Sequence, residues 1–130
     1  MSTIKANTLL HSDGSTTTQP SIPALDKRMA KAWVNFNGTG TVAINSAYNV
    51  SSITDNGLGQ YSVNFGTAMT TANYIFVLGA RDANNGMSIP TFQADPTRSI
   101  SASTLPVIYN YPANNQYYDG VAFCVVIMEA

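Results

Sequence analysis

The chain is 130 residues long and carries 6 Lys plus Arg against 7 Asp plus Glu, a formal net charge of −1 at pH 7; that length holds one domain, and so small a charge supplies no field for gathering phosphates, which argues against a nucleic-acid reader. Charged residues are only 10% of the chain, against roughly 25% in an ordinary soluble domain, and their place is taken by 13 Asn, 14 Thr and 12 Ser, residues that favour strands and turns over helix interiors. The single Cys excludes an intramolecular disulfide framework and a multi-cysteine metal site, and the lack of a long apolar run or an apolar leader predicts neither a membrane span nor a secretion signal.

Residues 1–23 read as an extended arm. Ile4, Leu9 and Leu10 are its candidate anchors, and the polar run Ser12-Asp13-Gly14-Ser15-Thr16-Thr17-Thr18-Gln19-Pro20 cannot bury enough apolar surface to offset its ordering entropy. Residues 24–31, Ala-Leu-Asp-Lys-Arg-Met-Ala-Lys, concentrate the helix formers, and Pro23 suits a first helical position, so one short helix is expected there. Residues 1–31 therefore form an anchoring and oligomerisation segment, and residues 32–130 the folded domain. Helix should stay below about 15% of the chain, against the usual third.

From Ala32 onward the pattern is that of strands. Trp33-Val34-Asn35-Phe36 alternates, placing Val34 and Phe36 on one face and Trp33 and Asn35 on the other, before a turn at Asn37-Gly38-Thr39-Gly40. Tyr48–Thr54 and Gln60–Phe65 flank the five-residue loop Asp55–Gly59 and read as a hairpin. Tyr61, Val63 and Phe65 share its buried face, and the phase of Ile53 predicts a bulge near Ser51 or Ser52. Tyr74–Ala80 and Val121–Met128 are apolar at nearly every position, which predicts central strands buried on both faces. Between them, Pro90, Pro96, Pro106 and Pro112 predict short edge strands and loops. Strand runs separated by turns, with no helix between, define an all-β class: an antiparallel β-sandwich, jelly-roll-like or immunoglobulin-like, with an N-terminal arm and one short helix.

The stretch Ala32-Trp-Val-Asn-Phe-Asn-Gly-Thr-Gly-Thr-Val-Ala-Ile-Asn45, continued by Tyr48-Asn-Val-Ser-Ser-Ile-Thr-Asp-Asn-Gly57 and Gln60-Tyr-Ser-Val-Asn-Phe65, resembles a module of bacteriophage tail fibres and related virion proteins, those of marine phages and cyanophages above all. Ser2-Thr-Ile-Lys-Ala-Asn-Thr-Leu9 and Lys31-Ala-Trp33 are similar to the way many of those proteins open. The likeness covers residues 31–78 most fully. It implies a virion structural protein, made in the host cytoplasm, that assembles as a homo-oligomer, commonly a trimer. Its implied partners are other virion proteins and a host-surface glycan or protein, and it implies no catalytic residue and no cofactor. A capsid decoration or head-fibre protein, or a lectin-like carbohydrate-binding module, stays open as an alternative.

The residues themselves assemble no catalytic set. His11, the one histidine, lies in the polar arm, where nothing holds an imidazole for base work. Cys124 falls between Phe123 and Val125 and reads as a small buried hydrophobe. Asp55, Asp82, Asp95 and Asp119 stand beside turn residues and read as caps, and Asp82-Ala-Asn-Asn-Gly86 lacks the acidic ligands of a calcium loop, so no metal site is expected. The composition that points to recognition is Tyr109, Tyr111, Asn114, Asn115, Tyr117 and Tyr118, because tyrosine faces with amide donors supply contact area at low entropic cost. The expectation is thus a non-enzymatic assembly subunit with a tyrosine-rich candidate recognition loop.

Overall fold

The computed structural model describes residues 8, 10, 12–14, 28–81, 91–111 and 115–129. Strand makes up 57% of them and none is helical. Arg28, Met29 and Lys31 are turn or bend and Ala30 is irregular, so the short helix expected over 24–31 is not formed in the part described, and residues 24–27 lie outside it. Nine strands, β1 (Ala32–Asn37), β2 (Ala43–Tyr48), β3 (Val50–Gly57), β4 (Gln60–Phe65), β5 (Ile75–Arg81), β6 (Thr91–Ala94), β7 (Thr104–Tyr111), β8 (Gln116–Tyr117) and β9 (Ala122–Met128), form two antiparallel sheets. One has the order β2-β1-β9-β5, the other β3-β4-β7-β6, with β8 also paired to β7. Their inner faces pack on each other, which is the β-sandwich expected from the strand census.

Alternation decides which side chains enter the core. Ala32, Val34 and Phe36 of β1, Tyr61, Val63 and Phe65 of β4, and Phe123, Val125 and Ile127 of β9 are buried, as period 2 requires. At one end Phe123 stacks among Phe36, Tyr61, Phe92 and Tyr109 with ring centroids 4.8–5.2 Å apart. Phe36 and Phe123 come from one sheet and the other three rings from its partner, so this cluster joins the layers.

The hairpin forms with the expected bulge, a register shift between Val50 and Ser52. Its loop is tighter than five residues because β3 runs on to Gly57, where Asp55 Oδ1 accepts from Gly57 N at 2.9 Å and leaves Leu58-Gly59 as the turn. Tyr48 does not belong to this hairpin, however. It ends β2 in the opposite sheet, opposite Trp33. The chain changes sheets at Asn49, whose left-handed φ of 52° an Asn side chain tolerates. Asn49 Nδ2 donates to Lys31 O at 3.0 Å and Thr67 O at 3.1 Å, while Oδ1 accepts from Thr67 N at 2.6 Å. Asn49→Ala should therefore destabilise by about 2 kcal/mol, through two backbone carbonyls and one N–H losing their partner at a strained corner. Asn49→Asp, which keeps only the acceptor, should fall between; equal urea midpoints for all three proteins would show that the corner does not depend on this amide.

Three expectations for the core strands are corrected. β5 is an edge strand, with Ile75 55% and Val77 60% exposed, and β9, although central, buries only one face. Cys124 accordingly lies on the solvent face, where its sulfur accepts from Asn35 Nδ2, and is not the buried hydrophobe expected. The strand buried on both faces is β7, with residues 105–110 all buried, in a region read as edges and loops because of its prolines. Pro106 is accommodated there because its carbonyl accepts from Asp95 N at 3.0 Å just beyond the end of β6. Its missing N–H points to that same side, where Asp95 O accepts from Arg98 N at 3.3 Å instead.

Candidate functional site

Of the six residues of the candidate recognition loop, Asn114 lies outside the described residues and Tyr109 is a core residue, 3% exposed, packed edge-on against Phe123. Tyr109 alternates inward with Leu105 and Val107 on β7, so its ring is not offered to solvent. Tyr111, Asn115, Tyr117 and Tyr118 are brought together by the β7–β8 pairing, in which Tyr111 stands opposite Gln116 and Asn110 opposite Tyr117. Asn115 takes the left-handed position of the turn, φ 55°. Tyr118 donates to Gln116 Oε1 at 2.7 Å on the surface. This hairpin presents three partly exposed tyrosine rings and two amides at one end of the sandwich. Of the candidate arm anchors, Ile4 and Leu9 lie outside the described residues, and Leu10 is exposed.

Beneath that hairpin sits a polar latch built on Asp119, a residue whose neighbours in sequence predict only a turn cap. Asp119 Oδ1 accepts from Tyr61 Oη at 2.6 Å and from Gly59 N at 2.8 Å, reaching 58 and 60 residues back in the chain. Gly59, φ 64°, has no room for a β-carbon, which would lie 2.6 Å from the carbonyl oxygens of Tyr109 and Tyr118. Gly38 is equally confined, by the Tyr61 hydroxyl and the Phe123 ring. The latch thus joins the β3–β4 turn, the segment after β8 and the aromatic cluster. Asp55 and Asp95 are caps as expected: Asp95 Oδ1 accepts from Thr97 N at 2.8 Å, and its Oδ2 pairs with Arg98 Nε at 3.1 Å. The Asp82 loop lies outside the described residues.

Burial pushes the Tyr74 hydroxyl from 10.0 up to about 12, and burial, then the Asp119 hydrogen bond and charge, push Tyr61 higher still. The folded state therefore holds these protons more tightly than the unfolded chain, so stability is complete below pH 10 and declines as pH rises towards 12. The urea midpoint should be level near neutrality and fall across that window, and Tyr74→Phe should make the fall shallower. A midpoint unchanged to pH 12, or a variant with the same slope, would contradict this.

The second surface is the outer face of the four-stranded sheet. Register places Tyr48, Trp33, Val126 and Val77 in one row across β2, β1, β9 and β5, and Ser46, Asn35, Cys124 and Gly79 in the next. Met128 and Ile75 lie beside each other on the far side of the first row. Trp33 and Tyr48 are each 38% exposed, and none of these ten residues is charged. Contiguous exposed apolar area of this kind marks interaction sites on soluble proteins. Sequence did carry its signal: β5 and β9 are apolar at successive positions, read above as burial on both sides.

No group of three or more His, Cys, Asp or Glu side chains is placed to hold a metal among the described residues, nor is any helix there long and apolar enough to cross a membrane. Fold and surfaces define a class, a two-sheet antiparallel β-sandwich with one aromatic-aliphatic sheet face open to contact. No protein-family model, curated protein or solved structure matches the chain.

Proposed function

We propose that the protein is a structural subunit of a bacteriophage particle, a tail fibre or tail-associated component, that assembles with copies of itself and is anchored through its N-terminal arm. The observation that carries the reading is the outer face whose two central rows hold no charged residue, with Trp33, Tyr48, Ile75 and Val77 exposed. Interface cores are depleted of charge and enriched in Trp, Tyr and Met, so this face suits burial against another protein surface. The resemblance over residues 31–78 supplies the particle as the setting. The arm, residues 1–23, is too polar to fold by itself and supports anchoring, with Ile4, Leu9 and Leu10 as side-chain contacts. Deleting residues 1–23 is expected to leave a soluble β-rich domain that no longer enters particles; normal incorporation of the truncated chain would transfer the anchoring role to the sandwich.

A second reading, attachment to a host-surface glycan, is favoured by one observation, the cluster of Tyr111, Tyr117 and Tyr118 with Asn115 and Gln116 at the tip of the sandwich. Aromatic rings beside amide groups suit the apolar face and hydroxyl rim of a sugar. Glycan-array binding that is lost in Tyr117→Ala together with Tyr118→Ala would support it, and an array without signal would remove it.

A further inference from the structure

The principal row of the open face is graded in size. It starts with the large rings of Tyr48 on β2 and Trp33 on β1 and ends with the small Val126 on β9 and Val77 on β5. We infer that two copies of the chain pack these outer faces together about a twofold axis parallel to the strands. Such an axis reverses the order of the strands in the facing copy. Tyr48 then lies over the partner's Val77 and Trp33 over the partner's Val126, and each relation is repeated in reverse, as an isologous contact demands. Bulky side chains meet small ones along the whole row, so the sheets reach the usual spacing of about 10 Å in the aligned packing of a sandwich.

Charge selects the same occupant. Both central rows are neutral, so an identical surface meets no like charge there, whereas a partner recognised by charge finds nothing to read. Lys31, just before β1, and Arg81, at the end of β5, lie outside both central rows, at the two ends of the face. Trp33 and Tyr48 are residue types that dominate binding energy when desolvated. The pairing does not rest on the virion reading, and it differs from the trimer that the resemblance implies, because a twofold contact closes after two copies.

The test is sedimentation velocity of the full chain with a charge-swap pair. Wild type is expected at twice the monomer mass. Val77→Lys and Tyr48→Glu, each at an exposed position and each placing a lone charge under the partner, should weaken association on the order of 100-fold while far-ultraviolet circular dichroism stays unchanged. The double variant V77K/Y48E should recover at least about tenfold of that loss, because each new cation then lies over the partner's new carboxylate. Within one chain, positions 48 and 77 are three strand spacings apart, about 14 Å, so the recovery cannot arise inside a monomer. A monomeric or trimeric wild type, association insensitive to both single substitutions, or a double variant no better than the singles overturns the proposal. A monomeric wild type would also count against the self-assembly proposed above, whereas a trimer would overturn only this pairing; incorporation into particles tests the virion setting separately.

Discussion

Phe123→Ala is expected to lower the unfolding free energy by about 4 kcal/mol and the thermal midpoint by roughly 15 °C. Phe123 is fully buried, on the central strand β9, and its ring touches Phe36 in its own sheet and Tyr61, Phe92 and Tyr109 in the other. Truncation leaves a cavity whose walls come from both layers. Collapse is hindered because Gly38 and Gly120 already lie against this ring and Tyr61 is held by Asp119. The residual void, rather than lost transfer energy alone, then sets the size of the effect. Leu58→Ala, in the exposed β3–β4 turn, is the control and should stay within about 0.5 kcal/mol. Urea denaturation measures both. A Phe123→Ala loss below about 1 kcal/mol would mean that the two layers are held together elsewhere.

The second large effect is expected at Asp119. Asp119→Ala should destabilise by about 3 kcal/mol, because it removes the acceptor of both the Gly59 N–H and the Tyr61 hydroxyl. The hydroxyl keeps only Gly38 O, at 3.3 Å, and the Gly59 amide is enclosed by the backbones of Tyr109 and Tyr118. Asp119→Asn retains an acceptor oxygen and should lose about 1 kcal/mol. A double-mutant cycle with Tyr61→Phe isolates the pair, with a coupling of about 1–2 kcal/mol expected. Strictly additive substitutions would show that the 2.6 Å contact contributes nothing of its own. Loss of the latch should also loosen the β7–β8 hairpin, so amide exchange at Tyr117 and Tyr118 should quicken in Asp119→Ala beyond what global destabilisation explains.

How far the fold was legible varied with how local its causes are. Alternation in Trp33–Phe36 and Gln60–Phe65 is enough to assign the buried face of β1 and β4, and the phase of Ile53 is enough to locate the bulge beside Ser52. Each reading needs only neighbours in sequence, because successive side chains of a strand must point to opposite faces. The tyrosine cluster was legible as composition alone. Its division into a buried Tyr109 and an outer set, Tyr111, Tyr117 and Tyr118, depended on where β7 leaves the core.

What the amino-acid order determined by itself is therefore the all-β class, the strand faces and the turns, since backbone preference and period-2 hydropathy act over a few residues. Tertiary structure alone decided which strands are central and which are edges. Proline-bearing β7 is central because its missing N–H points past the end of β6, and apolar β5 is an edge because no strand among the described residues continues beyond it. It also decided that Asp119 serves Tyr61 rather than its own turn, and that Trp33, Tyr48, Val77 and Val126 share one row. These relations join residues dozens of positions apart. They arise from the register and order of strands, which minimise exposed apolar area over the whole sandwich and which no local window of the chain contains.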